Sequence, residues 1–181
     1  VHACPEPRFR RWLDLPFRPI PDSAAAVETG AMEPSWHDDP ARWTLPAVLA
    51  RRAADRGAHV ALRFVDGESI DYASLERRAG RAGAFFAALQ VARGERVGVM
   101  LPNGPALLEC WAGLATLGAV HVAVNPELSG EFLRHVLALT GVRVLVIDAA
   151  LLPVLAPLLD RLPALEAIIV EGTPSAPPPA T

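Results

Sequence analysis

Apolar residues recur along this chain with alternating helical and strand-like periods from residue 44 onward. After Thr44, the apolar residues Leu45, Val48 and Leu49 follow at helical spacing, which predicts a short helix that Thr44 caps and Gly57 ends. A second apolar stripe advances by alternating steps of three and four residues, the spacing of one helix face. Its members are Tyr72, Leu75, Ala79, Ala82, Phe86 and Leu89. The ordered part of the chain is therefore predicted to begin with two helices.

Two β-prone segments lie between these helices. They are residues 59–65 and 69–72, and they flank Asp66-Gly67-Glu68. An Asp-Gly step between two such segments indicates a hairpin, because glycine tolerates positive φ. Asp71 is placed to cap the longer helix. The sequence therefore predicts a β-hairpin near the start of the ordered region.

Short continuous apolar runs alternate with helical segments through the rest of the chain. The runs are residues 96–101, 119–124, 142–147 and 167–170. Runs without polar alternation are typical of strands buried on both faces, as in a parallel sheet covered by helices. The predicted fold is α/β, with a doubly wound, mostly parallel sheet. We expect this sheet to leave an edge strand open, either residues 167–170 or the hairpin.

Both ends of the chain differ from its middle. Residues 1–43 hold seven of the 18 prolines and no sustained periodicity, which predicts a disordered or linker-like tail. Residues 44–171 form the predicted α/β region, and residues 172–181 are interpreted as a truncated, Pro-rich linker. The chain begins with Val1, so Met32 is a candidate for the true start, and we expect a further segment after the last residue.

Composition and charge exclude several classes of function. A net charge of −3 and a pI near 6.0 give no electrostatic footprint for nucleic acid. The most apolar stretch, residues 144–159, is interrupted by Asp148, Pro153 and Pro157, so no membrane span is predicted. Two cysteines cannot form a disulfide framework, and the first 30 residues lack the continuous apolar segment of a secretory signal, so none is predicted. A cytoplasmic protein is expected.

Candidate catalytic chemistry is missing from the sequence. All 17 basic residues are arginine, so no lysine of this chain can bind a phosphate or form a Schiff base. The first strand of the predicted sheet is followed by Pro102-Asn103-Gly104-Pro105 rather than by a glycine-rich dinucleotide loop, and Asn103 is expected to cap the next helix.

The remaining reactive side chains have structural interpretations. The five histidines lack metal-ligand spacing, and no cation is placed to activate Cys110, which is expected to pack as an apolar side chain. Glu127 and Glu131 flank a helix start, where acidic residues favour the macrodipole. We therefore predict neither catalytic residues nor metal ligands.

Three blocks of sequence together resemble the opening third of the AMP-forming acyl-CoA synthetases, a branch of the adenylate-forming superfamily that includes luciferases and peptide-synthetase adenylation domains. The blocks are FVDGESIDYASL at residues 64–75, GERVGVMLPNG at 94–104 and LATLGAVHVAVNP at 114–126. The segments PALLECWAGLATLGAV and ELSGEFLRHVL are most similar to the carnitine/crotonobetaine and medium-to-long-chain ligases, which act in fatty acid metabolism. The resemblance covers residues 44–171 and implies an incomplete N-terminal part of the adenylate-forming synthetase fold.

The resemblance also implies a reaction. The full-length parent would convert a small-molecule carboxylic acid, ATP and CoA into acyl-CoA, AMP and pyrophosphate with Mg²⁺. The family's phosphate loop, its Mg²⁺-binding acid, its ribose aspartate and its late lysine all lie downstream of the matched blocks. No catalytic residue therefore carries over, this chain alone is predicted inactive, and neither ATP, CoA nor Mg²⁺ is expected to bind it tightly. A downstream polypeptide would complete the synthetase.

Asn125 is the one candidate for a ligand contact. It lies in the turn Val124-Asn125-Pro126 after a predicted strand, where α/β sheets place ligands. The resemblance puts this turn near the passage for the acyl group and CoA, whereas a purely structural turn is the favoured alternative. Two departures from the family pattern, Asp71 for Ser or Thr and Ala123 for proline, affect the cap of the longer helix and this turn.

Two other functions stay open. The chain could be a non-catalytic α/β binding module or remnant, or a fragment of a peptide-synthetase adenylation domain. As a synthetase fragment, it could come from a gene fragment, a frameshift or a split subunit. A phosphate-loop reading frame in the DNA directly downstream would favour the split or frameshifted synthetase.

Overall fold

A computed structural model describes residues 8–11, 39–65 and 67–173, and residues 8–11 are described by their backbone alone. The strands are β1 (Arg8–Arg11), β2 (Val60–Arg63), β3 (Ser69–Asp71), β4 (Arg96–Met100), β5 (Val120–Ala123), β6 (Val144–Asp148) and β7 (Ala167–Glu171). The helices are α1 (Leu45–Arg56), α2 (Tyr72–Ala88), α3 (Pro105–Leu117), α4 (Gly130–Thr140) and α5 (Leu152–Leu155). Short 3₁₀ helices span Pro40–Trp43, Ala149–Leu151 and Ala156–Arg161.

The strands form a five-stranded parallel sheet and a separate hairpin. The sheet has the order β1-β7-β6-β4-β5, and each neighbouring pair is parallel. Strands β2 and β3 pair antiparallel in a sheet of their own. The predicted α/β class, with a parallel sheet and an early hairpin, is confirmed.

The central strands are buried on both faces, as their continuous apolar sequences predict. In β6, Val144 and Val146 pack among residues of α2 and α3, whereas Leu145 and Ile147 pack on the opposite face among residues of α4 and α5. All four side chains are at most 1% exposed. A strand whose two faces both enter a core has no position for a polar residue, which explains why the run is unbroken.

The helix boundaries follow from local capping. The Thr44 hydroxyl accepts a hydrogen bond from the Ala47 amide over 3.4 Å, and the Asp71 carboxylate accepts one from the Ser74 amide over 2.6 Å. Both predicted N-caps are confirmed. Helix α3 ends at Gly118, whose φ of 66° is the left-handed conformation that favours glycine, and β5 begins two residues later.

The edges of the parallel sheet differ from the expectation. Residues 167–170 were expected as an open edge, but β7 lies between β6 and β1, so that part of the prediction is wrong. The reason is a long-range pairing in which Arg8 aligns with Ala167 and Arg11 with Val170. The outer strands of this sheet are β1 and β5. Except for β1 and residues 39–43, the predicted tail lies outside the described residues, as does the linker from residue 174.

Helices α2 and α3 approach each other closely through two glycines. A Cβ added to Gly113 would lie 2.5 Å from the Cβ of Ala82 and 2.8 Å from the amide nitrogen of Gly83. A Cβ on Gly83 would overlap the Thr116 hydroxyl, which donates a hydrogen bond to the Gly113 carbonyl over 2.6 Å. Only glycine permits this backbone separation. The two helices can therefore lie side by side over one face of the sheet.

Arg143 joins three segments at the amino ends of the strands. Its guanidinium donates to the Glu95 carboxylate over 2.8 Å, to the Glu166 carboxylate over 3.4 Å and to the Leu89 carbonyl over 3.2 Å. These partners belong to the turn before β4, the turn before β7 and the end of α2. One side chain thus fixes the start of two strands against a helix.

The glycine contact predicts opposite effects for two alanine substitutions. We expect Gly113→Ala to lower the free energy of unfolding by about 1–3 kcal/mol, because the added methyl group forces α2 and α3 apart. Gly80 lies on the same helix pair with nothing within 4 Å of an added Cβ. Gly80→Ala should therefore raise that free energy by about 0.5–1 kcal/mol through helix propensity. Urea unfolding of both variants measures the difference, and equal effects would contradict the close contact.

Candidate functional site

The carboxyl ends of the parallel strands form the candidate site. Strand β5 lies on one side of β4, whereas the strands that follow it in sequence, β6 and β7, lie on the other side. The chain thus changes direction across the sheet between β4 and β6. In open α/β sheets, ligands bind outside the carboxyl ends of the strands at such a switch point. A ligand site of this sheet is therefore expected at the ends of β4, β5, β6 and β7 and in the segments that follow them.

The segment after β4 starts helix α3 without a side-chain cap. Gly104 occupies the N-cap position and Pro105 the first helical position, and no side chain hydrogen-bonds to this helix end. The prediction that Asn103 caps α3 is wrong, because the helix begins one residue later than that assignment requires. Asn103 is instead exposed at the surface.

The segment after β5 is a tight turn built around Asn125. Its side-chain oxygen accepts a hydrogen bond from the Glu127 amide over 2.9 Å, and its carbonyl accepts one from the Leu128 amide over 3.1 Å. The preceding amide, of Val124, donates to the Val99 carbonyl of β4 over 2.9 Å. Asn125 is exposed, and its side chain is held by the turn itself, as in the structural alternative. A ligand contact by Asn125 stays a prediction.

The segments after β6 and β7 bring carboxylates together. Asp148 and Glu171 are register partners at the ends of the two strands, and Asp148 accepts a hydrogen bond from the Ala150 amide over 2.8 Å. Burial raises the pKa of Glu171, and the negative charges of Glu109 and Asp148 raise it further. This acidic edge was not predicted from the sequence. Its only signal was an acidic residue directly after each of two apolar runs.

Arg78 links the acidic edge to the hairpin. Its guanidinium lies 3.0 Å from the Glu109 carboxylate of α3 and 3.5 Å from the Glu68 carboxylate beside β3. Glu109 is the more buried of the two acids, with 17% of its side chain exposed against 42% for Glu68. The Arg78 guanidinium therefore neutralises the charge of Glu109 more effectively than that of Glu68. It forms no ion pair with Asp148 or Glu171.

Cys110 packs in the apolar core next to this edge. It is 1% exposed and lies among residues of α2, α3, β4 and β6. Burial raises the pKa of its thiol, and the negative charges of Glu171 and Glu109 raise it further. The thiol therefore stays protonated near neutral pH and is a poor nucleophile. The expected role as a packed side chain is confirmed.

The described residues show neither a metal-binding cluster nor a membrane-spanning helix. No cluster of three or more His, Cys, Asp or Glu side chains in residues 39–65 and 67–173 is arranged to hold a metal ion. No helix in the described part of the chain combines the length and apolarity needed to cross a bilayer.

Comparison with known proteins gives one consistent family. A family model described as "AMP-binding enzyme" matches residues 49–179. A crotonobetaine/carnitine–CoA ligase of Salmonella paratyphi B is 37% identical over 101 residues, which are 54% of this chain and 20% of that protein. The chain thus spans about a fifth of the length of the curated relatives it matches. The resemblance inferred from the three sequence blocks is confirmed.

Solved structures agree with this result. An anthranilate CoA ligase, AuaEII, in complex with anthranoyl-AMP superposes with a TM-score of 0.69 at 26% identity, over 77% of this chain and 27% of that one. A fatty acyl CoA synthetase of Mycobacterium tuberculosis superposes with a TM-score of 0.66 at 25% identity, over 71% and 26% of the two chains. The parallel sheet and its helices therefore correspond to about a quarter of each ligase.

The turn geometry of Asn125 predicts a stability effect. Asn125→Ala removes the acceptor for the Glu127 amide, and we expect the free energy of unfolding to fall by about 0.5–1.5 kcal/mol. Asn125→Asp keeps an acceptor and should lose less. Asn103→Ala is the matched control, since Asn103 is also exposed but caps no helix. Thermal and urea unfolding report the differences, and an Asn125→Ala variant as stable as Asn103→Ala would exclude the structural role.

Proposed function

The chain belongs to the AMP-binding enzyme family, and from this premise we propose that it forms the N-terminal part of an ATP-dependent acyl-CoA synthetase. The parent reaction joins a carboxylic acid to CoA, with ATP cleaved to AMP and pyrophosphate. The family match over residues 49–179 carries the proposal. The three sequence blocks support it, because they lie on the hairpin, on β4 and on β5, where they shape the sheet and its carboxyl edge.

The residues of this chain do not by themselves fit ATP. The sequence has no lysine, and three acids near the carboxyl edge of the sheet, Glu109, Asp148 and Glu171, carry the same sign of charge as a triphosphate. A phosphoryl-transfer site needs cations and backbone donors around the leaving group. We therefore assign no chemical step to a residue of this chain. Its part in the proposed enzyme is to supply the scaffold behind the site.

The proposed substrate is a small-molecule carboxylic acid of the carnitine-like or fatty acyl class. The name of the Salmonella relative and the similarity of α3 and α4 to that branch support this choice. ATP, Mg²⁺ and CoA would be bound mainly by the polypeptide that follows these blocks in longer family members. We propose the cytoplasm as the compartment, since the two cysteines form no disulfide framework.

The two alternative functions have less support. A non-catalytic binding module would share this fold, and a peptide-synthetase adenylation domain would share its superfamily. The relatives reported above are named as CoA ligases, and neither alternative is favoured by a contact or a charge in the structure.

The chain alone is predicted to be inactive in carboxylate-dependent ATP–pyrophosphate exchange. Its sequence has no lysine and no phosphate loop to compensate the charge that develops as pyrophosphate leaves. Exchange should stay at background with carnitine, crotonobetaine or a fatty acid. Exchange above background would contradict the assignment of the chemistry to residues outside this chain.

A chimera tests the proposed function itself. Residues 44–171 would replace the corresponding region of the crotonobetaine/carnitine–CoA ligase, with the intact ligase as the positive control. If these residues supply a synthetase scaffold, the chimera regains exchange and thioester formation. A chimera that melts cooperatively but shows neither activity would favour the non-catalytic module.

A further inference from the structure

His121 lies on β5, an outer strand of the parallel sheet, and one nitrogen of its ring is buried. Its Nε2 atom is buried and has no hydrogen-bond partner among the described residues. The residue lies in the middle of β5 and aligns with Val97 of β4, the only strand that pairs with β5 in the described sheet. A buried polar atom without a partner costs free energy, and a charged one costs more.

The surroundings of His121 offer no compensating charge. Val122, the next residue, packs in the core that contains α4, so the alternation of the strand directs His121 to the other face, on the side of α3. Helix α3 carries one charged residue, Glu109, and β4 carries one, Arg96. Burial is the one cause that lowers the pKa of His121, with no contribution from a neighbouring carboxylate.

Two further charged groups lie near the start of β5. Arg93 packs against Gly118, two residues before the strand begins. Glu95 precedes β4, but its carboxylate accepts hydrogen bonds from Arg143 and from the Ala92 amide. The Arg93 guanidinium would repel a protonated imidazole. The Glu95 carboxylate is already hydrogen-bonded to Arg143 and to the Ala92 amide. Among the described residues of α3, of β4 and of the turn before β4, no acid is therefore left to stabilise the imidazolium form.

We infer that β5 and the Asn125 turn that follows it form an acid-labile element of the fold, with His121 as the group that responds to the proton. A protonated ring carries a charge and two N–H donors, and the donor at the enclosed Nε2 atom has no acceptor among the described residues. Strand β5 can separate from the sheet more easily than the central strands, because within the described sheet it is hydrogen-bonded to β4 alone. Opening it breaks the bonds from the Val120 amide to the Glu95 carbonyl, over 2.7 Å, and from the Val124 amide to the Val99 carbonyl, over 2.9 Å.

The direction of the effect follows from proton linkage. The ordinary histidine pKa is 6.5, and that of folded His121 is lower. Between those two values the opened strand binds more protons than the closed one, so acid favours opening. The equilibrium constant for opening should rise by up to about tenfold per pH unit across that window and level off below it. This inference goes beyond the proposed function and does not depend on it.

Hydrogen exchange of the full chain tests the inference. Exchange at the Val120 and Val124 amides, normalised to intrinsic rates, would be measured from about pH 7 to about pH 5. We expect opening to increase with acid in the unmodified chain and to be flat in His121→Gln, which cannot be protonated. His135→Gln, which removes an exposed histidine of α4, is the matched control and should behave like the unmodified chain.

The outcomes separate His121 from the other titrating groups. Glu171 lies on β7, which β6 and β4 separate from β5, and any effect of its raised pKa is common to all three proteins. An equal rise in opening in His121→Gln, or no rise in the unmodified chain, would overturn the inference. If His121→Gln fails to fold, an NMR titration of the unmodified ring decides. A midpoint clearly below 6.5 supports the inference, and one at or above 6.5 rejects it.

Discussion

The close approach of α2 and α3 at Gly83 and Gly113 is the constraint on which the rest of this structure depends. These two helices pack on one face of the parallel sheet against β4, β6 and β7, and they approach each other at positions where neither glycine has a Cβ. Helix α1 packs on them in turn through Leu49, which contacts Ala79 and Ala112. The hairpin also depends on this layer, since β3 leads directly into α2. A wider spacing would therefore disturb the sheet face, α1 and the hairpin together.

The two ends of the parallel strands differ in how their charged groups are paired. At the amino ends of the strands, Arg143 ties the starts of β4 and β7 to the end of α2, so that end is closed by internal hydrogen bonds. At the carboxyl ends, α3 begins without a side-chain cap, and carboxylates of Asp148 and Glu171 stand side by side. Hydrogen bonds from one arginine thus close the amino end, whereas at the carboxyl end burial and neighbouring negative charges raise the pKa of Glu171. This division fits a scaffold that presents its carboxyl edge to the remainder of a synthetase.

Most of the helices and strands could be predicted from local signals in the sequence. Features that depend on contacts between distant segments could not. Thr44 and Asp71 act on amides three residues away, so their caps could be identified from spacing. The pairing of β1 with β7 joins segments more than 150 residues apart. The tail has no sustained periodicity from which this strand could have been predicted. Similarly, the orphan nitrogen of His121 depends on which face of an outer strand is covered, which only the assembled sheet determines.

The central claim is that the sheet and the α2–α3 layer form one cooperative scaffold. Native-state hydrogen exchange of the isolated chain at increasing urea tests it most directly, because it reports which elements open together. The account predicts that amides of α2, α3, β4 and β6 share one opening free energy and one dependence on urea, above those of β5. Exchange of α2 and α3 at low urea, while β4 and β6 stay protected, would contradict it.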